Sequence, residues 1–263
     1  MNLPPVDRRH VYGLMLDTET ANTIQLEGGG LDMSNTLFYD FGCQVIDSHG
    51  RTYGVKLSFV NSDIFTHEAE LMQSSYYAKK IPQYLADIES GKRIVANTYE
   101  IRKAVVEVIR HFDCKFICAH NSRFDYNAIN NTQRWTTKSK YRYFLPFGLE
   151  WWDTLKMAKS VMGSMPTYIR FCEENGYLTK AGKPRFTAEI CYRFISKESD
   201  FVESHTGLED VEIETEILRY CHRQHKPMQK KLWEKKFPQF QKKSLDKSEI
   251  LCYNEEKQGR TIK

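Results

Sequence analysis

The sequence predicts an α/β domain with a mixed β-sheet flanked by helices. Residues 36–46 and 52–60 are rich in β-branched and aromatic residues, and the turn at residues 48–50 separates them, so they predict an antiparallel hairpin. Short apolar runs later in the chain alternate with segments of helical periodicity, as in parallel strands joined by helices. Because a tight hairpin joins antiparallel strands, the pattern favours mixed pairing over an all-parallel sheet.

The first predicted element is a buried strand at residues 11–16, an apolar run that stops at Asp17. Residues 21–35 are polar and contain the glycines at 28–30, so they predict a flexible loop before the hairpin. Residues 65–90 have helical character. The N-terminal part of the chain is therefore expected to contain a strand, a hairpin and a helical region.

The next helix is predicted to begin at Asn97, with Glu100 as its capping-box partner. Residues 115–119 (KFICA) predict a second buried strand, and Asn121 is expected to cap a helix that runs to about Ile129.

The remaining elements alternate in the same way. Residues 149–153 (LEWWD) predict a strand and residues 154–162 a helix. Short helices are expected within residues 166–200, and a longer helix over residues 207–222.

The composition of the 263 residues suits a chain that buries a core, since 41% are hydrophobic and 13% aromatic. The net charge of +4, from 38 basic and 34 acidic residues, is too small for a typical disordered chain. Seven cysteines without a C-x-x-C pair predict free thiols in a reducing compartment. No apolar run approaches the roughly 18 residues of a membrane helix, so we expect a soluble, cytoplasmic protein without membrane contact.

Two regions are predicted: a main domain over residues 1–225 and a basic extension over residues 226–263. Residues 226–247 carry eight lysines but only two acidic residues, Glu234 and Asp246. Two interpretations of the extension stay open. It binds phosphates or a partner through its lysines, or it packs its aromatic residues onto the domain.

Asp17 and Glu19 are the first candidate site residues. They follow a buried strand, and residues two apart on a strand point to the same side of the sheet. Adjacent carboxylates repel each other, so the pair is costly unless a cation lies between them. A divalent metal ion satisfies this requirement, although a solvated turn explains the pair as well when it is taken alone.

Two further acidic positions occur where helices begin. Asp125 is expected in the first turn of a helix, where an acidic residue also stabilises the helix dipole without any other role. His205 precedes the helix at residues 207–222, and Asp210 lies one turn inside it. Each position has an ordinary explanation by itself. Their occurrence in order, each at a junction of a helix with a strand or loop, predicts one shared site.

The three acidic segments resemble the motifs of the DEDDh (DnaQ-like) 3′–5′ exonuclease family, which belongs to the ribonuclease H-like superfamily. DTET at residues 17–20 resembles the first motif, HNSRFD at residues 120–125 the second and HTGLED at residues 205–210 the third. Threonine stands where the related DEDDy group has tyrosine. Gly207 departs from the pattern, because alanine is frequent at that position.

The resemblance implies a ribonuclease H-like fold with a five-stranded mixed sheet, antiparallel in strands 1–3 and parallel in the later strands. It also implies hydrolysis of nucleic acid from the 3′ end to 5′ mononucleotides, with DNA as the favoured substrate. Two Mg²⁺ or Mn²⁺ ions would serve as cofactors. The implied metal ligands are Asp17, Glu19, Asp125 and Asp210, and the implied catalytic residues are these four and His205.

Residues 132–143 combine basic and aromatic side chains, as surfaces that bind single-stranded nucleic acid do. An unpaired 3′ end is the expected partner of such a surface. The alternative is a solvated loop whose aromatic residues join the core. The candidate contact residues, two of them inside the motifs, are Thr18, Asn121, Arg134, Trp135, Lys138, Lys140 and Tyr141.

Two other functions stay open at this point. An oligoribonuclease-like enzyme that trims RNA would carry the same motifs, since no residue can be assigned to the 2′-hydroxyl. A non-catalytic nucleic-acid-binding or scaffold module on the same fold is the second, because a fold alone does not guarantee activity. Any proofreading role would require a polymerase or another replication or repair partner.

Overall fold

The computed structural model describes residues 3–22, 24–25, 31–32, 34–66, 69–73 and 78–233. The strands are β1 (Tyr12–Ala21), β2 (Ile24–Gln25), β3 (Leu31–Asp32), β4 (Leu37–Asp47), β5 (Thr52–Asn61), β6 (Ile94–Ala96), β7 (Phe116–Ala119) and β8 (Glu150–Asp153). The α-helices are α1 (Ser62–Phe65), α2 (Ala69–Gln73), α3 (Ile81–Glu89), α4 (Thr98–Phe112), α5 (Arg123–Thr137), α6 (Thr154–Val161), α7 (Pro166–Glu174), α8 (Ala188–Ser196) and α9 (Gly207–Arg223). Short 3₁₀ helices cover Ala78–Lys80 and Met162–Ser164.

A mixed sheet forms the centre of the fold, with the strand order β6-β5-β4-β1-β7-β8. β4 is antiparallel to both β1 and β5, whereas β7 and β8 continue parallel to β1. The predicted α/β class is confirmed, with an antiparallel early part and a parallel later part. In the described part of the chain the sheet has six strands where five were expected, because β6 joins the edge in parallel with β5.

The predicted loop at residues 21–35 contains a small feature of its own. β2 and β3 form a separate two-stranded sheet in which Ile24 lies opposite Asp32. The glycines at 28–30, predicted to be flexible, lie outside the described residues.

Apolar clusters cover both faces of the main sheet, and the alternation along β1 shows how. Leu14 and Leu16 join the cluster formed with α4 and α5, whereas Met15 joins the cluster formed with α6, α8 and α9. Because residues two apart share a face, Asp17 and Glu19 lie on the Met15 face. β1 is longer than predicted, since its pairing with β4 continues beyond Glu19, and both acids lie within the strand.

The capping prediction is confirmed at α4 and is wrong at α5. Asn97 and Glu100 form the predicted reciprocal capping box. At α5 the N-cap is Ser122, while Asn121 has a left-handed φ of 62° and donates its backbone N–H to Asp153 Oδ1 over 3.0 Å. A hydrogen bond to a distant residue therefore overrides the local preference of asparagine for the cap.

The N-terminus of α9 packs on β4 with no side chain between the two backbones. A Cβ atom added at Gly42 would lie 2.2 Å from the carbonyl carbon of Gly207. A Cβ atom added at Gly207 would lie 2.7 Å from the nitrogen of Gly42. Two glycines therefore permit this approach, and the contact explains the glycine at residue 207, a position at which the motif resemblance implies alanine.

Asp40 on β4 anchors the same contact through a buried network. It accepts a hydrogen bond from the N–H of Gly207 at 3.0 Å and one from the Tyr84 hydroxyl at 2.7 Å. Arg93 donates to both of its oxygens at 3.1 Å and also to Glu209 of α9 at 3.1 Å. The network joins β4 to α9 through Arg93, so it holds the start of α9 on the sheet. Removing one partner would leave an uncompensated buried charge, which is costly.

The six cysteines within the described residues are buried and unpaired, which confirms the predicted free thiols at these positions. Cys252 lies outside the described residues. None of the helices in the described ranges is long and apolar enough to cross a membrane.

Of the predicted basic extension, residues 226–233 are described, and Leu232 donates its N–H to the Trp151 carbonyl at 2.8 Å. The two interpretations of the lysine-rich segment concern residues that are mostly outside the described part.

Replacing Gly42 with alanine is expected to destabilise the protein by about 3 kcal/mol, the upper end of overpacking costs, because the new methyl group meets backbone rather than a movable side chain. Chemical denaturation measures the change. Gly163→Ala is the matched control, since its Cβ would come no nearer than 3.4 Å to Phe186, and it should stay within about 1 kcal/mol of wild type. Equal stability of the two variants would contradict the packing of α9 on β4.

Candidate active site

A cleft of about 700 Å³ opens where the acidic part of β1 meets the first turns of α9. Five acidic residues line it, and they are Asp17, Glu19, Glu203, Asp210 and Glu214. Basic and aromatic residues from other segments complete the lining. The cleft therefore combines a cluster of carboxylates with groups of opposite charge.

Strand and helix geometry bring four of these acids together. Asp17 and Glu19 alternate on β1 and share the face of the sheet on which α9 packs. Asp210 and Glu214 are four residues apart on α9, about one turn, so they project from the same side of the helix. The α9–β4 contact holds that side over the end of β1.

Asp125 joins this group from the first turn of α5, where it is 1% exposed. Its Oδ1 accepts hydrogen bonds from the Thr18 N–H at 3.1 Å and from the Thr18 hydroxyl at 2.9 Å. Since Thr18 lies between Asp17 and Glu19, these bonds join the first two motifs. The structure therefore brings all four sequence-predicted carboxylates to one place.

Burial and repulsion raise the pKa of each carboxyl group in the cluster. For Asp17 burial is the largest cause, followed by the charges of Glu214 and Asp125, and the pKa lies well above its usual value. The pKa of Asp125 rises to about 7 and that of Asp210 to about 8, in both cases chiefly through burial. Without a cation, the cluster therefore retains protons near neutral pH.

His205 lies just before α9, with a left-handed φ of 50°. One of its ring nitrogens, a carboxylate oxygen of Glu19 and one of Asp210 all lie within 4.8 Å of one another, close enough to hold a metal ion. No other such group of His, Cys, Asp and Glu occurs in the part of the chain that the structure describes. Burial and the nearby charge of Lys80 lower the pKa of His205, which favours a neutral imidazole that can accept a proton.

The chemistry of the cluster fits a hard divalent cation. Three buried carboxylate oxygens lack a hydrogen-bond partner, and they are Asp17 Oδ2, Asp125 Oδ2 and Glu214 Oε2. Burying charged oxygens without a partner is costly, and a cation removes that cost. Mg²⁺ and Mn²⁺ prefer oxygen ligands of this kind.

Glu214 and Glu203 are cleft residues that the sequence analysis did not single out. Glu214 is 2% exposed, and its spacing of four from Asp210 was an available signal. Glu203 lies 3.8 Å from His205 Nδ1, and burial raises its pKa to about 7. No periodicity marks Glu203, because it belongs to an irregular segment before α9.

The predicted nucleic-acid contacts fall in two places. Thr18 and Asn121 line the cleft. The other five, within residues 134–141, lie in the last turn of α5 and just beyond it, and none of them lines the cleft. There the Lys138 ammonium lies 4.6 Å from the centre of the Trp135 ring. Because an α-helix rises 1.5 Å per residue, Trp135 lies roughly 15 Å along the axis of α5 from Asp125 in its first turn.

The basic and aromatic part of the cleft lining comes largely from segments without a recognisable motif. Lys159 of α6 and Arg185 before α8 supply positive charge, and Phe124 and Phe186 supply aromatic surface. Cations that contact phosphates and rings that stack on bases are the usual components of a nucleic-acid site.

No protein-family model and no curated protein matches the chain. Among solved structures, it is similar to a 3′-exonuclease described in 3′-end-specific recognition of the histone mRNA stem-loop, at 14% identity and a TM-score of 0.52, over 88% of this chain and 69% of that one. It is also similar to the nuclease domain of 3′hExo, a DEDDh family member bound to rAMP, at 12% identity and a TM-score of 0.51, over 86% of this chain and 100% of that one. The chain therefore shares its fold with these solved 3′-exonucleases. At these identities the likeness extends to the fold alone.

The raised carboxyl pKa values predict that the metal-free protein loses stability as pH rises. An unfolded aspartate has a pKa near 3.9, whereas folded Asp210 has one of about 8, so the folded state binds more protons between these values. The stability contributed by the retained proton is complete below about pH 4 and lost as pH rises through about 8. The melting temperature in EDTA should therefore fall from about pH 5 to about pH 8.5.

Asp210→Asn should flatten this pH profile, whereas replacing the exposed Asp200 with asparagine should not. A wild-type profile unaffected by Asp210→Asn would contradict the burial of like charges at this site.

Proposed function

We propose that the protein is a metal-dependent 3′–5′ exonuclease that hydrolyses nucleic acid from the 3′ end to 5′ mononucleotides. The observation that carries the proposal is that three segments remote in sequence bring their acids together. Asp17, Glu19 and Asp210 line one cleft beside His205, and Asp125 accepts a hydrogen bond from Thr18 of that cleft. The fold shared with solved 3′-exonucleases supports it.

The divalent cations would be held by Asp17, Glu19, Asp125 and Asp210. We expect two cations per site. Mg²⁺ or Mn²⁺ are the expected ions because both prefer oxygen ligands. When bound, such cations supply a nucleophilic hydroxide and stabilise the charge of the leaving oxygen. The protein residues hold the acids in place: Thr18 fixes Asp125 through two hydrogen bonds.

His205 acts as the proton acceptor for the attacking water. Its lowered pKa, caused first by burial, keeps the ring neutral and ready to accept that proton. Glu203, 3.8 Å from Nδ1, lies where it can stabilise the imidazolium once the proton has moved. The backbone of the same segment accepts hydrogen bonds from Lys80 at Ser204 and at His205.

The cleft supports a single-stranded 3′ end as the ligand. Its volume of about 700 Å³ lies in the range of small-ligand sites, so it suits a terminal nucleotide rather than a duplex. DNA as the favoured substrate stays a prediction. RNA is the second candidate, because the two solved neighbours are described with an mRNA stem-loop and with rAMP.

A nuclease assay on 3′- and 5′-blocked DNA and RNA oligonucleotides tests the proposal. Wild-type protein should release 5′ mononucleotides from free 3′ ends with Mg²⁺ and none with EDTA. Asp17→Asn should abolish release, and His205→Ala should lower it by roughly 10²–10⁴-fold, because it removes only the proton acceptor.

Glu212→Gln is the control for these variants, since Glu212 lies on the exposed side of α9 and pairs with Lys56. Release by Asp17→Asn at the wild-type rate would disprove the proposed centre. Metal-independent binding without hydrolysis of any substrate would instead favour a scaffold module on this fold.

The segment at residues 134–141 is proposed to contact the strand outside the cleft. Lys140 is exposed, and its ammonium lies 5.2 Å from the centre of the Tyr141 ring, as in single-strand binding surfaces.

Lys140→Ala should weaken oligonucleotide binding and lower the slope of log affinity against log salt by about 0.7. Fluorescence anisotropy at several salt concentrations measures this slope. Lys103→Ala, an exposed lysine on α4, should leave it unchanged, and an equal effect of both variants would refute the contact.

A further inference from the structure

Glu214 is a buried acid in the cleft to which the proposed function gives no role. It lies four residues after Asp210 on α9, is 2% exposed and lines the same cleft as Asp17 and Asp210. One helix face therefore carries two carboxylates toward the sheet rather than one.

The surroundings of Glu214 are acidic. Its strongest charged neighbours are Asp125 and then Asp210, and it is in turn the strongest charged neighbour of Asp17. Each of Asp17, Asp125 and Glu214 has one buried oxygen without a hydrogen-bond partner. The three acids thus supply unpartnered oxygens beside the Glu19, His205 and Asp210 group, which is the group whose ligand atoms lie close enough to one another to hold an ion in the described residues.

A purely structural role does not account for the charge of Glu214. A backbone hydrogen bond from His120 acts to lower the pKa of the Glu214 carboxyl group, and the buried Oε2 has no hydrogen-bond partner. Glutamine has the same shape and would accept that hydrogen bond equally well. A buried acid with only this partner costs stability, whereas a neighbouring cation reverses the sign of its contribution.

We propose that Glu214 is a fifth carboxylate of the cation centre, acting on the side of Asp17 and Asp125. The inference rests on the proposed function, since it assumes that divalent cations bind this cleft. Glu214 adds negative charge and an oxygen that receives the cation or the hydrogen bonds of its water. Its effect is to raise cation affinity beyond what the four motif carboxylates provide.

Calorimetric titration of Mn²⁺ into the metal-free protein, without nucleic acid, tests the proposal. Glu214→Gln should lower the Mn²⁺ affinity roughly 10- to 100-fold, as the loss of a supporting ligand does elsewhere. Glu212→Gln, on the same helix but paired with Lys56 at the surface, should leave the affinity unchanged. Wild-type affinity in Glu214→Gln would overturn the inference and leave the proposed function intact.

The melting temperature in EDTA at about pH 8 gives a second measurement, above the usual pKa of a glutamate. Glu214→Gln should melt at or above the wild-type temperature, because it removes repulsion and keeps the hydrogen bond to His120. A lower melting temperature, or a failure to fold, would show a structural role and also overturn the inference. Absence of Mn²⁺ binding by wild-type protein would instead disprove the metal dependence of the proposed function.

Discussion

The direct backbone contact between α9 and β4 is the constraint on which the cleft depends. Gly42 and Gly207 allow the approach, and the hydrogen bond from the Gly207 N–H to Asp40 fixes its position. The start of α9 is thereby set against the acidic end of β1, so Asp210 and Glu214 come to lie over Asp17. A longer distance between helix and sheet would separate the acids of the third motif from those of the first.

The buried acids of this protein differ in how their charge is compensated. Asp40 has an arginine, a tyrosine hydroxyl and a backbone N–H as partners, so its charge is balanced inside the protein. Asp17, Asp125 and Glu214 each retain an oxygen without a partner. The contrast separates an acid whose charge is balanced inside the protein from acids whose charge a bound cation would balance, and residue type or burial alone does not show it.

Local patterns predicted most of the sheet and the positions of the motif acids. The hairpin, the capping box at Asn97 and the three motif junctions have signals in neighbouring residues. β6 was missed because it has only three residues, two of them exposed, so no alternation was visible. The conformation of Asn121 depends on Asp153, and the basic part of the cleft depends on chain packing after α6; neither is encoded by adjacent residues. The spacing of four residues between Asp210 and Glu214 is a local signal, but only the orientation of α9 shows that Glu214 faces the cleft.

A cleft lined with acids also implies an order of events for a polyanionic ligand. Phosphates approaching the carboxylates near Asp17 and Asp210 meet charges of their own sign, despite Lys159 and Arg185 on another part of the lining. The proposed cations would reverse that field when bound, so cations and nucleic acid would bind cooperatively. By thermodynamic linkage, each would strengthen the binding of the other by the same factor. The resting protein would then discriminate against free polyanions until divalent ions are present.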